Sequence, residues 1–156
     1  MTIEVVVNGR RYVAPVAAHV TLLRFLRDDA GMTDVKYGCG EGVCGACTVL
    51  LDGAAVNSCS VLAVQADGYR VETVAALGEN GALHPLQREL VDHGAVQCGF
   101  CTPGVVLGAL EALRLGLADD RALIRRSLAG NLCRCTGYRK IVDAVEAYRE
   151  REGMAT

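Results

Sequence analysis

Eight cysteines, four in each half of the chain, carry the chemistry this sequence is equipped to do. Cys39, Cys44 and Cys47 follow the spacing C-x4-C-x2-C, and Cys59 comes further along. Thiolates at that spacing hold a [2Fe-2S] cluster. Gly38 stands just before Cys39, and Gly40, Gly42 and Gly45 are woven between the first three cysteines. A two-iron core with four thiolates is a bulky anion, so the backbone must curl closely around it and aim N–H groups at its sulfurs. Glycine permits this because it has no Cβ and takes positive φ at little cost. A structural zinc site is the competing reading, but such sites usually pair two short two-cysteine knuckles and have no need of so much glycine.

The second half has its own four thiols, Cys98 and Cys101 as C-x2-C and Cys133 and Cys135 as C-x-C. Cys98 and Cys101 immediately precede a predicted helix capped by Thr102 with Pro103 at its first position. Cys133 and Cys135 precede one predicted to start near Tyr138. Both pairs thus stand at helix N-termini, where unpaired N–H groups and the positive end of the helix dipole face an anion. Arg134, between two of these cysteines, has two readings: it offsets cluster charge, or it is solvated and points away. For this half taken alone, zinc at the same spacing stays open as an alternative.

The elements that must position these residues can be read from pattern. Ile3 to Val7 alternates, Asn8-Gly9 is a two-residue hairpin turn, and Arg10 to Val16 returns as a second strand. Thr21 caps a short helix with Leu22, Leu23, Phe25 and Leu26 on one face and Gly31 beyond its end. After the cysteine loop, Thr48 to Leu51 and Ala54 to Asn57 form a second hairpin around Asp52-Gly53 and deliver Cys59. Tyr69 to Val74 is a fifth strand. Ala75 to Ala82 is small and flexible, which sets the expected boundary between a domain at 1–76 and one at 77–156. Beyond it the period becomes helical: Pro85 to His93, Thr102 to about Leu115, Asp119 to near Gly130, and Tyr138 to Glu150. The expected fold is α+β, with a β-grasp ferredoxin-like domain, similar to plant-type ferredoxins, followed by a compact four-helix bundle.

Composition narrows the function. The chain has 156 residues with two Phe, five Tyr and no Trp; each half therefore has few large core residues and gains stability from a metal cluster. An apolar fraction of 51% with a net charge of only -2 points to surface buried against partner subunits. Nothing in the charge balance favours nucleic acid or an anionic membrane. No stretch has the length of a membrane span, so no membrane insertion is expected. The first residues open into an alternating pattern rather than a secretion signal, and Arg10-Arg11 leads into no apolar run. The expected compartment is the cytoplasm, where metal ligation accounts for eight cysteines better than four disulfides do.

Three ordered stretches carry a more specific resemblance: Tyr37-Gly38-Cys39-Gly40-Glu41-Gly42-Val43-Cys44-Gly45-Ala46-Cys47-Thr48, Gln97-Cys98-Gly99-Phe100-Cys101-Thr102-Pro103-Gly104, and Gly130-Asn131-Leu132-Cys133-Arg134-Cys135-Thr136-Gly137-Tyr138. Together they resemble the iron-sulfur subunit of the molybdenum hydroxylases, the xanthine oxidase family. The resemblance covers nearly the whole chain, with all eight ligand cysteines present. It implies two [2Fe-2S] clusters here, a large partner subunit holding molybdenum on molybdopterin cytosine dinucleotide, and commonly a medium subunit holding FAD. Electrons would leave molybdenum, cross both clusters and reach the flavin, with the helical-domain cluster nearer the pterin. Gln97 and Cys135 match family positions that approach the pterin; without the family, Gln97 reads as an ordinary loop amide.

The remaining residues have plain readings. His19, His84 and His93 are expected at the surface, Glu41 solvated, and Arg121, Arg125 and Arg126 on an exposed helix face. The chain has no dinucleotide-binding or phosphate-loop motif and no nucleophile-base pair with spacing logic, so it is expected to hold no substrate site. A free two-cluster carrier is the alternative function, and a zinc-stapled interaction module a third; a carrier would be more charged than this chain.

Overall fold

In the computed structural model, residues 1–78 and 80–152 are described. The first half is a mixed five-stranded sheet made of β1 (Thr2–Val7), β2 (Arg10–Pro15), β3 (Thr48–Leu51), β4 (Ala54–Asn57) and β5 (Arg70–Glu72). The spatial order is β2-β1-β5-β3-β4. β1 and β5 run parallel, and the other neighbours are antiparallel. Alternation in β1 turns Ile3, Val5 and Val7 inward. Both hairpins turn where the sequence supplies residues that tolerate positive φ: Asn8 at 50° with Gly9 at 77°, and Asp52 at 46° with Gly53 at 84°. This is the backbone that two-residue hairpins require.

Across the sheet lies a helical segment that begins as one α-turn, α1 (Leu22–Arg24), with Thr21 Oγ1 accepting from the Arg24 amide at 3.3 Å. It then widens into a π-turn over Phe25–Asp29, where a regular short helix is expected from the pattern. The wider turn keeps both Phe25 and Leu26 fully buried. It also sends the Arg27 guanidinium to the Val35 carbonyl at 2.6 Å, tethering the approach to the first cysteine loop.

The fifth strand is shorter than the alternation implies, because Val74–Ala76 coils into a three-ten turn. Val74 and Leu77 pack against the second hydrophobic core, so the expected linker is anchored at its start; Glu79, within it, lies outside the described residues. The second half contains α2 (Pro85–Asp92), α3 (Thr102–Arg114), α4 (Arg121–Ser127) and α5 (Arg139–Arg151). Their apolar faces enclose Leu86, Leu90, Val105, Val106, Ile124, Leu128, Ile141, Val142 and Val145. This core is separate from the one built on Ile3, Phe25, Val49 and Val71. Among the described residues no helix is long and apolar enough to cross a membrane.

Several caps differ from expectation. Cys101, not Thr102, is the N-cap of α3, and it offers no side-chain cap bond. Asp120 rather than Asp119 caps α4, accepting from Leu123 at 2.8 Å. His84 is not a surface bystander: its Nδ1 accepts from the Leu86 amide at 3.2 Å, and its ring lies 5.8 Å from that of Tyr148. Arg125 and Arg126 are exposed as expected, whereas Arg121, its side chain 42% exposed, is also ion-paired. It bridges α4 to α5 through Asp143 and, at 2.6 Å, Glu146.

Candidate metal centres

The loop between the π-turn and β3 folds back on itself so that its amides meet its own thiols. Cys39 Sγ accepts from the amides of Glu41 and Cys44, each at 3.4 Å, and Cys44 Sγ accepts from the Cys39 amide at 3.3 Å. Cys59, brought back by the β3-β4 hairpin, accepts from the Gly42 amide at 3.2 Å. The amides of Glu41, Cys44 and Val43 hold the Cys39 thiol down to about 6. Burial pushes Cys47, beside Cys59, up to about 11.

In the other half, Cys135 and Cys98 stand with sulfurs 3.6 Å apart. Cys101 neighbours Cys133, and burial followed by that thiol pushes Cys101 up to about 12. Burial opposes ionisation of Cys133, but the Thr136 hydroxyl, 3.1 Å from its sulfur, and the amides of Thr136 and Cys135 bring it below the ordinary thiol value. Tyr138 braces this loop, its hydroxyl accepting from the Cys133 amide at 2.8 Å and donating to the Asn131 carbonyl at 3.1 Å.

All eight cysteines are free thiols, and they fall into pairs: Cys39 with Cys44, Cys47 with Cys59, Cys98 with Cys135, Cys101 with Cys133. Among the described residues, no group of three or more His, Cys, Asp or Glu is arranged to hold a single metal ion. Two pairs per site suit a centre with two irons, each taking two thiolates, better than one zinc. The chemistry of the donors fits as well: buried thiols resist ionisation when alone, and iron supplies the positive charge they lack.

The loop glycines divide by task. A Cβ on Gly38 would stand 2.7 Å from Cys44 Sγ, inside the cysteine cradle, and one on Gly42 would stand 2.6 Å from Ser60 Oγ beside Cys59. Gly40 takes φ +78°, and its bare side faces the Tyr37 hydroxyl. Gly45 differs: a Cβ there would meet the Gly130 carbonyl oxygen at 2.2 Å and Asn131 Nδ2 at 2.6 Å. Contact with the other lobe, rather than the thiols, demands its smallness. Asn131 itself is buried, a role the motif reading did not assign. Gln97, Cys98 and Cys135 are exposed together at the second site, Arg134 is exposed beside them, and Glu41 is exposed at the first.

Two family models divide the chain between them: a 2Fe-2S iron-sulfur cluster binding domain matches residues 5–76, and a [2Fe-2S] binding domain matches residues 73–146. The small subunit of nicotine 6-hydroxylase from Paenarthrobacter nicotinovorans is 51% identical over 143 residues, covering 92% of this chain and 86% of that one. The chain belongs to the small iron-sulfur subunits of the xanthine oxidase family of molybdenum hydroxylases. The xanthine dehydrogenase iron-sulfur-binding subunit of Escherichia coli O157:H7 is 43% identical over 147 residues, 93% of this chain and 92% of that one. Among solved structures, a chain of quinoline 2-oxidoreductase from Pseudomonas putida 86 superposes with a TM-score of 0.89 at 44% identity, covering 96% of each chain. Aldehyde oxidoreductase from Desulfovibrio gigas gives the same TM-score at 39% identity, with 98% of this chain covering 17% of that longer one. The subunit thus has two [2Fe-2S]-binding domains, and its family membership rests on the whole chain rather than on one motif.

Proposed function

We propose that this chain is the electron-transfer subunit of a heteromeric molybdenum hydroxylase and has no substrate site of its own. Cys39, Cys44, Cys47 and Cys59 hold one [2Fe-2S] cluster, and Cys98, Cys101, Cys133 and Cys135 hold the other. When bound, the clusters relay single electrons between a molybdopterin cytosine dinucleotide centre in a large partner subunit and FAD in a medium subunit. The observation that carries this reading is the pairing of eight free thiols at two sites within a chain whose likeness to a small subunit covers 92% of its length.

The protein's own residues hold, shield and tune. Amides of Glu41, Gly42 and Cys44 donate to thiolate sulfur, which stabilises added negative charge and raises a cluster's potential. Cys47 and Cys59 are buried, while Cys98 and Cys135 reach the surface with Gln97. That exposed edge of the second site is the side for the pterin, with Gln97 and Cys135 nearest it. Exposed Tyr37 and Val43 flank the first site, and Val96, Phe100 and Leu132 flank the second. Such apolar residues around both loops suit burial against partner subunits.

Two separate hydrophobic cores, one built on residues from Ile3 to Val71 and the other on residues from Leu86 to Tyr148 with Val74 and Leu77 packed against it, support a β-grasp domain at 1–76 and a four-helix bundle at 77–156. Eight unpaired thiols suit a reducing cytoplasm. Replacing Cys101 with Ser tests the relay. The complex should keep its molybdenum and lose reduction of flavin by substrate; reduction at the normal rate would overturn the assignment of the second site as an obligatory step.

A further inference from the structure

One of the contacts between the two lobes lies between their cysteine loops. α3 carries Gly104 and Gly108 one turn apart. A Cβ at Gly104 would stand 2.2 Å from the Gly45 carbonyl oxygen, and one at Gly108 would stand 2.8 Å from Asn131 Oδ1. This bare strip of helix is the seat on which Gly45, from the first cysteine loop, and Asn131, two residues before Cys133, both rest. Asn131 is 7% exposed, and its Nδ2 donates to the Gly45 carbonyl at 3.0 Å and to Thr48 Oγ1 at 3.1 Å. The same carbonyl also accepts from the Thr48 hydroxyl at 2.7 Å and the Thr48 amide at 3.2 Å. A carbonyl only accepts, so the amide nitrogen is the end of Asn131 that must face it. Beside this clamp, the Leu132 amide donates to the Cys44 carbonyl at 2.8 Å.

Each residue in the clamp lies within two positions of a cysteine: Gly45 follows Cys44, Thr48 follows Cys47, and Asn131-Leu132 leads into Cys133. Both partners of the Asn131 amide, Gly45 and Thr48, belong to the first half of the chain, so its tie is made between the lobes rather than within one.

We infer that Asn131 is a positioning residue for electron transfer between the two clusters. By pinning Gly45 and Thr48 against the glycine strip of α3, it sets the separation and orientation of the two cysteine sets. The inference rests on the reading of those sets as cluster ligands. The step it governs moves one electron from the reduced second cluster to the oxidised first; no bond forms or breaks, and Asn131 carries no proton. A neutral donor is required, because an aspartate of nearly the same shape would turn oxygen toward the Gly45 carbonyl.

The test uses the full chain in its native complex, as wild type, Asn131→Asp, Asn131→Ala and Thr48→Val. With both clusters reduced, electron paramagnetic resonance reads the g-values of each and the magnetic splitting between them, and hydrogen exchange reads the Leu132 amide. The Asn131 variants should keep about four irons and the g-values of both clusters but lose the resolved splitting. Leu132 exchange should rise by about tenfold, and inter-cluster transfer after photoreduction should slow by about tenfold. Full iron content with wild-type splitting and wild-type Leu132 exchange overturns the positioning role. Absence of iron from the wild type would instead overturn the ligand assignment. If Asn131→Ala does not accumulate, Thr48→Val, which removes the hydroxyl but keeps the shape, gives the same reading; unchanged splitting there also overturns the inference.

Discussion

Glu111 offers a sensitive probe of how the lobes are joined. It lies on α3, and its Oε1 accepts from the Ala55 amide on β4 at 2.7 Å. β4 is an edge strand, so this carboxylate meets an amide that no neighbouring strand covers. Further along α3, Arg114 donates to the Gly53 carbonyl of the same hairpin at 3.1 Å. A hydrogen bond to an ionised group contributes about 1.5–3 kcal/mol, and because both residues are half-buried, water partly replaces it and the lower end applies, about 1.5 kcal/mol. Glu111→Ala should therefore lower the melting temperature of the cluster-loaded chain by about 3–6 °C when its 156 residues melt as one unit. Glu111→Gln keeps an acceptor oxygen without the charge and should lose roughly half as much. Melting followed by both far-ultraviolet dichroism and visible absorption would show whether the sheet and the cluster are released together. An alanine variant as stable as wild type, or a glutamine variant as unstable as alanine, would refute the reasoning.

Four further outcomes are expected. Cys44→Ser should remove one of two [2Fe-2S] resonance signals and leave the other; loss of both would contradict two independent centres. Tyr138→Phe removes the hydroxyl that joins the Cys133 amide to the Asn131 carbonyl, and should cost about 1–2 kcal/mol while shifting the potential of the second cluster only, as redox titration would show. Gly38→Ala places a methyl 2.7 Å from Cys44 Sγ and should deplete iron from the first site. Gly9→Ala meets nothing within 4 Å but sits at φ +77°; it should cost about 1 kcal/mol and leave iron content intact.

Features with local causes were legible in the sequence. Asn8-Gly9 and Asp52-Gly53 dictate their hairpins because positive φ is a property of those residues themselves. The gathering of the cysteines into two sets was legible because the members of each set lie on short, closely spaced segments that the chain brings together. Features set by partners distant in sequence were not. Gly45 looks like its neighbouring loop glycines, yet its constraint comes from Gly130 and Asn131. Arg121 looks like a solvated helix residue until α5 brings Asp143 and Glu146 beside it. His84 caps α2 with a ring nitrogen, a donor-acceptor match that residue preferences at helix starts do not suggest. The π-turn at Phe25–Asp29 answers to packing across the sheet and to Arg27 reaching Val35, neither of which leaves a mark in the helical period.

The most direct measurement is the iron, acid-labile sulfide and zinc content of the purified chain, taken together with its reduced resonance spectrum. Two two-iron clusters predict about four irons and about four sulfides per chain, with two distinguishable signals. Stoichiometric zinc, or sulfide sufficient for only one cluster, would contradict the account.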